Sequence, residues 1–150
     1  MSNQLHITLT TPERQVLSLV GESITIPTET GEITVLPGHA PIVALLQSGM
    51  ATVRVSGSEE YLAVSGGFVR IEAGNKVMIL ADTAERAEEL DMAKVEEARE
   101  RARKVLVEGQ HADDVAAAAA MAGLERELAR LKVAQKYRGA RRSHTPTIEQ

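Results

Sequence analysis

The stretch from Val77 to Asp91 reads VMILADTAERAEELD, and the composition of the chain changes within it. Four of the five prolines and eight of the eleven glycines precede it, whereas alanine, glutamate, arginine and leucine dominate after it. Proline and glycine mark turns, and the other four residues favour helices. The sequence therefore predicts an all-β domain over residues 1–82, followed by a helical domain over residues 83–137.

Alternation of apolar and polar residues supports the β-domain. Leu5, Ile7 and Leu9 share one face of a predicted strand. Further strands are predicted at Ser23–Ile26, Glu32–Leu36, Met50–Val55, Tyr61–Val64, Phe68–Glu72 and Lys76–Leu80. In the last of these, Val77 and Ile79 lie on one face and Met78 and Leu80 on the other, so burial on both faces is expected. Short strands separated by glycine-rich turns are typical of a β-sandwich or flattened barrel.

Helical spacing dominates the second domain, where two antiparallel helices are expected to form a hairpin. Thr83 is predicted to cap the first helix and Gly109 to end it, and Asp113 or Asp114 is predicted to cap the second. The apolar stripes are expected at Leu90, Val95, Ala98, Ala102, Val105, Leu106, Met121, Leu124, Leu128 and Leu131. Residues 138–150 lack apolar periodicity, so a disordered tail is predicted there.

Alanine dominates the surface through which the two helices are expected to meet, above all in the run Ala116–Ala120 and at Ala122. Burying apolar surface stabilises by only about 25 cal/mol per Å², and alanine has little surface to bury. The packing of the hairpin is therefore expected to be weak. Two interpretations stay open, an element with two conformations or a stable appendage.

Composition excludes several classes of function. A net charge of −4 and a content of two Tyr, one Phe and no Trp argue against nucleic-acid binding. The chain has no cysteine, and its four histidines lack metal-ligand spacing, so no metal site is expected. No nucleophile-elbow, dinucleotide-binding or P-loop motif occurs, and no apolar run approaches the length of a membrane span. A soluble, non-catalytic protein without bilayer insertion is expected.

The loop Leu36–Pro41 reads LPGHAP and contains two prolines and one glycine. These residues make the loop rigid, and His39 is expected at its protruding tip. Rigid loops are often contact surfaces, but a turn that merely connects two strands accounts for the same residues. Both interpretations stay open at this point.

Three motifs in register resemble a known family: LPGHAP at residues 36–41, SGG at 65–67 and LADTAER at 80–86. With the Ala/Glu/Arg-rich helices that follow, the chain resembles the epsilon subunit of the bacterial F-type ATP synthase over about residues 4–137. The resemblance implies a sandwich of about ten strands and a carboxy-terminal helical hairpin. It also implies a non-catalytic rotor subunit, peripheral to the cytoplasmic face of the bacterial cell membrane.

The resemblance further implies partners. The sandwich of family members packs on the gamma subunit and on the membrane-embedded c-ring, and so couples proton flow to rotation. The c-ring contacts implied for this chain are Glu32, Gly38 and His39. In many bacterial members the hairpin extends along gamma towards the catalytic α/β subunits and inhibits ATP hydrolysis. This behaviour agrees with the weak alanine packing expected from the residues.

Some family members bind ATP in the folded hairpin through an aspartate and several arginines. The matching residues in this chain are Asp91, Lys94, Arg101, Arg126 and Arg130. Lys94 stands where the motif has arginine, and an ammonium lacks the planar fork that binds phosphate at two points. No cofactor is therefore expected beyond weak regulatory ATP binding, at millimolar affinity or none. The alternative for these arginines is a solvated helix face with ion pairs.

One rival hypothesis comes from another class of protein. It is a free-standing β-sandwich that binds a small ligand and dimerises through its helices. The scarcity of aromatic residues weighs against a carbohydrate-binding face. A hydrolase is not supported, because the sequence shows no credible pair of nucleophile and base.

Overall fold

The computed structural model describes residues 3–108 and 114–143, with side chains described as far as residue 141. The described chain begins with ten strands: β1 (Leu5–Thr10), β2 (Gln15–Gly21), β3 (Ser23–Thr28), β4 (Gly31–Val35), β5 (Ile42–Leu45), β6 (Gly49–Val55), β7 (Ser58–Ser65), β8 (Phe68–Glu72), β9 (Lys76–Leu80) and β10 (Thr83–Arg86). A 3₁₀ turn over Ala87–Glu89 follows. It leads into two helices, α1 (Met92–Glu108) and α2 (Asp114–Ser143).

Two five-stranded sheets form the predicted β-sandwich. The first sheet has the strand order β2-β1-β9-β8-β5, and the second has the order β10-β7-β6-β3-β4. Neighbouring strands are antiparallel except β1 and β9, which run parallel. The edge strands β4 and β5 lie on one side of the sandwich, and β2 and β10 lie on the other.

Apolar residues alternate along the strands and meet between the two sheets. The largest side chains that are less than 2% exposed are Leu5, Ile7, Leu9, Ile24, Ile26, Leu62, Ile79, Val35, Val53, Val64, Val69 and Val77. The turn between β7 and β8 approaches its neighbours closely, with φ of +67° at Gly66 and +92° at Gly67. A Cβ at Gly66 would collide with the Asp82 carboxylate, and a Cβ at Gly67 would collide with the Leu80 carbonyl. These two positions therefore require glycine.

The helical hairpin packs on the outward face of the second sheet. Val133 of α2 is fully buried there against Tyr61 and Ala63 of β7 and Ala87 of the 3₁₀ turn. Half-buried residues around this cluster are Met50, Leu90 and Tyr137. Because α1 packs along α2, the predicted hairpin is confirmed.

The junction between sandwich and hairpin differs from the prediction. Thr83 does not cap a helix, because Thr83–Arg86 forms strand β10 and pairs with Leu62–Ser65 of β7. The second sheet thus extends past the predicted domain boundary at residue 82. Helix α1 begins after Asp91, whose Oδ1 accepts the backbone N–H of Ala93 at 3.0 Å. Pairing with an open sheet edge overrides the helical propensity of the TAER residues.

Helix α2 extends further than predicted. Residues 138–143 continue it, so the prediction of a disordered tail is wrong for them. Arginine and alanine in this segment favour helix, and the Arg141 guanidinium lies 5.9 Å from the centre of the Tyr137 ring. Residues 144–150, and the predicted boundary residues 109 and 113, lie outside the described part of the chain. None of the described helices is both long and apolar enough to cross a membrane.

The buried face of α2 matches the prediction only in part: Leu131 is buried and Leu124 is half-buried as expected, but the rest of the face differs. Ala116–Ala119 and Ala122 are exposed, so most of the alanine run does not form the packed surface between the helices. Val105, Met121 and Leu128 of the predicted stripes are also exposed. The buried residues of α2 are Glu127, Ala129, Leu131, Val133 and Ala134. The carboxy-terminal half of α2 thus anchors the hairpin, whereas the half near the helix–helix connection is little covered.

Candidate docking faces

The outward face of the first sheet carries a patch of exposed apolar side chains. The register places six residues there in two adjacent rows, Val43, Arg70 and Met78 in one and Leu45, Phe68 and Leu80 in the next. The five apolar members, which we call the open face, are 37% to 65% exposed. A contiguous apolar patch on a rigid sheet is typical of a surface that binds another macromolecule.

The open face corrects the expectation that β9 is buried on both sides. Val77 and Ile79 point into the core, but Met78 and Leu80 are 43% and 37% exposed. A strand with apolar residues on both faces can be buried on both sides, or it can present one face for docking. The sequence pattern is the same in both cases, so it did not reveal this exposed face.

The three residues implied to contact the c-ring lie at two separate places. Glu32 is exposed at the start of β4, beside the turn from β3. Gly38 and His39 follow the other end of the same strand. A five-residue strand spans about 16 Å, so β4 holds Glu32 well apart from the other two residues.

A hydrogen bond from Gly38 restrains the loop that follows β4, and the rigidity of the whole loop stays a prediction. With φ of +84°, Gly38 donates its N–H to Asn75 Oδ1 at 2.7 Å, which ties the loop to the turn between β8 and β9. His39 is half-buried, and its Nδ1 lies 2.7 Å from the carbonyl oxygen of Ala40. The expectation that His39 forms a protruding tip is therefore wrong.

A second candidate site is a cleft of about 370 Å³ between the hairpin and the sandwich. Three arginines line it, Arg14, Arg126 and Arg130, and so do four acidic residues, Glu13, Asp82, Glu85 and Glu127. Carboxylates thus outnumber guanidinium groups in this cleft. No group of His, Asp or Glu among the described residues has a geometry that could hold a metal ion.

Arg130 uses its whole guanidinium group inside this cleft. Its Nε and Nη2 donate to the two carboxylate oxygens of Glu85 at 2.6 Å and 3.1 Å, and its Nη1 donates to Glu127 Oε2 at 2.8 Å. Burial alone would lower the pKa of Arg130, but the carboxylates of Glu85 and Glu127 hold it above its ordinary value. The two-point contact with Glu85 joins α2 to β10.

A second ion pair joins the 3₁₀ turn to the sandwich. Arg14, in the turn between β1 and β2, donates from Nη2 to both carboxylate oxygens of Glu89 at 3.0 Å and 2.9 Å. This hydrogen bond is the main cause that lowers the pKa of Glu89 and raises that of Arg14. Because the pKa of Glu89 is lowered, its contribution to stability is present above the ordinary value of 4.5 and is lost as the pH falls below it.

The five residues implied to bind ATP do not converge on one cleft. Two of them line the cleft, Arg126 and Arg130, and three do not, Asp91, Lys94 and Arg101. Asp91 caps α1, and Arg101 Nη1 pairs with Glu97 at 2.9 Å along the exposed side of the same helix. This arrangement favours the interpretation of these arginines as ion-pairing residues.

Under the hairpin, Tyr61 makes a short hydrogen bond that the sequence did not indicate. Its hydroxyl donates to Glu59 Oε2 at 2.6 Å, and Arg54 donates to the other oxygen of Glu59 at 3.2 Å. The bond to Glu59, with burial as the second cause, raises the pKa of Tyr61 to about 12. The same bond lowers the pKa of Glu59. A glutamate two residues from a tyrosine on one strand is the signal that could have found this pair.

Residues 4–87, which span the ten strands, match the family described as ATP synthase, Delta/Epsilon chain, beta-sandwich domain. The chain is also 48% identical over 132 residues to the ATP synthase epsilon chain of Moorella thermoacetica, an alignment that covers 87% of this chain and 96% of the relative. The chain belongs to the ATP synthase epsilon chain family. The epsilon chain of Dehalococcoides mccartyi is 40% identical over 136 residues, which cover 90% of this chain and 95% of the relative.

The likeness to a solved structure includes the helices as well as the sandwich. A chain in the structure of the Euglena gracilis mitochondrial ATP synthase, OSCP/F1/c-ring, superimposes with a TM-score of 0.76 at 30% identity. The superposition covers 90% of this chain and 83% of that one. The family indicated by the LPGHAP, SGG and LADTAER motifs is therefore confirmed.

Proposed function

We propose that the protein is a non-catalytic central-stalk subunit of a bacterial F-type ATP synthase, where it couples proton flow through the c-ring to ATP synthesis. The observation that carries this proposal is the 48% identity with nearly the whole of an ATP synthase epsilon chain. The Euglena gracilis relative was solved within an assembly of F1 and c-ring. A subunit in such an assembly lies at the membrane surface, here the cytoplasmic face of the bacterial cell membrane, and is peripheral to it.

The open face is the proposed contact with the gamma subunit. It presents exposed apolar side chains from three adjacent strands, and removing their surface from water favours a complex. Arg70 lies among them, where its Nε pairs with Glu72 at 3.0 Å, and arginine is enriched in protein interfaces. The rival hypothesis of a free-standing ligand-binding module leaves this face without a partner, and family membership argues against it.

Contact with the c-ring is proposed through Glu32, Gly38 and His39. Since β4 separates Glu32 from the other two residues, Glu32→Lys and His39→Glu are best tested one at a time. Each is expected to weaken attachment to the ring more than attachment to isolated gamma, measured by pull-down with each partner. If a reversal weakens both attachments equally, that residue has been assigned to the wrong surface.

Regulation of ATP hydrolysis is proposed for the hairpin, which in its extended form would reach the catalytic α/β subunits. The little-covered half near the helix–helix connection supports this, because few contacts hold it in place. A chain truncated after Leu90 keeps all ten strands and removes both helices. In the reassembled complex, we expect it to raise ATP hydrolysis and to preserve proton-driven synthesis. Unchanged hydrolysis would reject the regulatory role and leave the stalk role standing.

ATP binding is proposed to be weak, at millimolar affinity or none. Lys94 lacks the arginine fork, and ATP would have to displace Glu85 and Glu127 from Arg130 to use that residue. Calorimetric titration of the full chain with ATP tests this, with Lys94→Arg as the comparison. We expect tighter binding by Lys94→Arg than by the unaltered chain. Micromolar binding by the unaltered chain would contradict the proposal.

A further inference from the structure

The ion-pair cluster of Glu85, Glu127 and Arg130 connects the hairpin to the sandwich, apart from the open face. All three guanidinium nitrogens of Arg130 donate to carboxylates of this same chain. Glu85 belongs to β10 of the sandwich, whereas Glu127 and Arg130 belong to α2. The bonds between Arg130 and Glu85 therefore exist when α2 lies on the second sheet and are broken when it leaves.

The cluster is partly shielded from water. The Arg130 side chain is 23% exposed and that of Glu127 is 9% exposed, whereas Glu85 is 36% exposed at the mouth of the cleft. Removing one member of such a cluster leaves a poorly hydrated charge without its partner, which is strongly unfavourable. When the hairpin undocks with all members intact, water and salt ions solvate every charge. Ionic strength therefore favours the undocked form.

Charges around the cluster come from every neighbouring element of the cleft. Arg126 approaches Glu127 at 3.9 Å from the same helix. Glu13 and Arg14 line the cleft from the turn between β1 and β2, and Asp82 lines it from the segment before β10. With four carboxylates against three guanidinium groups, the cleft already supplies Arg130 with anionic partners.

We propose that Glu85, Glu127 and Arg130 form an internal ion latch, which holds the hairpin on the sandwich without a bound ligand and weakens as ionic strength rises. Undocking then depends on the ionic conditions and on competing partner surfaces. The effect of the latch on ATP hydrolysis rests on the proposed function of the hairpin. The latch itself is a property of the free chain and can be tested there.

The chain contains no cysteine, so one introduced thiol can report on undocking. Ala63 is 4% exposed and lies beneath Val133 of α2, which makes Ala63→Cys a suitable probe. The rate of thiol modification in the full chain measures how often the hairpin leaves this site. Adding Arg130→Gln is expected to raise this rate about ten-fold or more, since hydrogen bonds between charged groups are lost. Between low salt and 1 M NaCl, we expect a rise of about three-fold with Arg130 present and little change with Arg130→Gln.

Two controls separate the latch from other effects. Ala51→Cys places the thiol in the sandwich core, at a position that is 0% exposed, and its slow modification must not change with Arg130→Gln. Arg103→Gln removes an exposed ion pair with Glu100 within α1 and is expected to leave the Ala63→Cys rate unchanged. Glu85→Gln breaks the latch from the sandwich side and should act like Arg130→Gln.

The proposal fails if Arg130→Gln and Glu85→Gln leave the Ala63→Cys rate within two-fold of the unaltered chain. It also fails if the Ala51→Cys rate rises in parallel, because Arg130 would then stabilise the whole fold rather than the docked hairpin. Latch variants that undock in the free chain but do not change ATP hydrolysis in the complex would keep the latch and reject the regulatory function.

Discussion

The outward faces of the two sheets contrast in how they are covered. On the first sheet Met78 and Leu80 remain 43% and 37% exposed, whereas on the second Tyr61 and Ala63 are only 7% and 4% exposed because α2 lies over them. The covered face combines a small apolar cluster with ion pairs at its margin, and the open face is mainly apolar. An exposed apolar face is suited to stable binding of another protein. A small apolar cluster bordered by ion pairs is suited to a hairpin that can undock.

The largest effect on stability is expected when the hairpin is removed by truncating the chain. Two end points differ in whether strand β10 is kept. A chain ending at Glu89 keeps β10 and should stay folded, with the covered face exposed to solvent. A chain ending at Asp82 also loses β10, whose four residues pair with Leu62–Ser65. Since a backbone hydrogen bond contributes about 1 kcal/mol, the chain ending at Asp82 should be less stable than the chain ending at Glu89 by on the order of 4 kcal/mol. Urea unfolding followed by circular dichroism compares the two, and equal midpoints would show that β10 is dispensable.

A charge beneath the hairpin should undock it. Val133→Asp places a carboxylate at a position that is 0% exposed, at an expected cost of roughly 3 kcal/mol or more to the docked state. The sandwich should keep its stability, because its core lies on the other side of the second sheet. Limited proteolysis should then cut α2 while residues 4–87 stay intact. Val115→Asp, at a 79% exposed position of the same helix, is the matched control and should leave the cleavage pattern unchanged.

The same change on the open face should instead affect a partner. Leu80→Asp is expected to weaken binding to the gamma subunit about thirty-fold, or ~2 kcal/mol, because a charge would be desolvated in the interface. Thermal unfolding of the free chain should change little, since Leu80 is already 37% exposed. Titration calorimetry with gamma measures the affinity. Thr34→Asp, on the exposed outward side of the second sheet, serves as control. An equal loss with both variants would contradict the assignment of the open face.

A smaller effect, specific to the covered face, is expected on the ionisation of Tyr61. In a Tyr137→Phe background, Tyr61 is the remaining tyrosine and should ionise with a pKa of about 12. Since this value is raised above the ordinary 10, the associated stability is complete below pH 10 and is lost as the pH rises towards 12. Glu59→Gln should lower the pKa towards 10, because the bond to Glu59 is its main cause. Ultraviolet titration measures it, and an unchanged pKa in Glu59→Gln would assign the shift to burial.

The smallest effect is expected on the exposed side of α1, away from both faces. Arg101 and Glu97 form an ion pair in which both side chains are at least 65% exposed. Arg101→Gln should therefore change the free energy of unfolding by less than about 0.5 kcal/mol. Urea unfolding tests this, and a larger loss would show that the pair belongs to a functional contact.

Much of the sandwich could be predicted, because one buried face imposes an alternation that the sequence displays directly. Leu5, Ile7 and Leu9 are buried as their spacing indicated. Strand β10 escaped prediction because the four residues of Thr83–Arg86 are short of apolar side chains, and Ala84 is the buried one. Its conformation is decided by pairing with β7, which no local pattern encodes.

The hairpin was harder to predict for a different reason. Its buried face includes Glu127 and the half-buried Arg130, which satisfy each other's charges. A search for apolar spacing passes over such residues and selects Met121 and Leu128, which are exposed. The motifs identified the family. That Glu32 and His39 lie towards opposite ends of β4 became clear only from the bounds of this strand in the structure.

The parallel pairing of β1 with β9 has a consequence for how the protein is made. His6 pairs with Lys76 and Thr10 with Leu80, so the first of the ten strands to be synthesised lies beside one of the last. Pairings between segments so distant in sequence form slowly, because the intervening chain must first be closed into a loop. Both rows of the open face include a residue of β9. A nascent chain therefore cannot present a complete surface to its partner until β9 has been synthesised, which delays assembly until the sandwich is nearly whole.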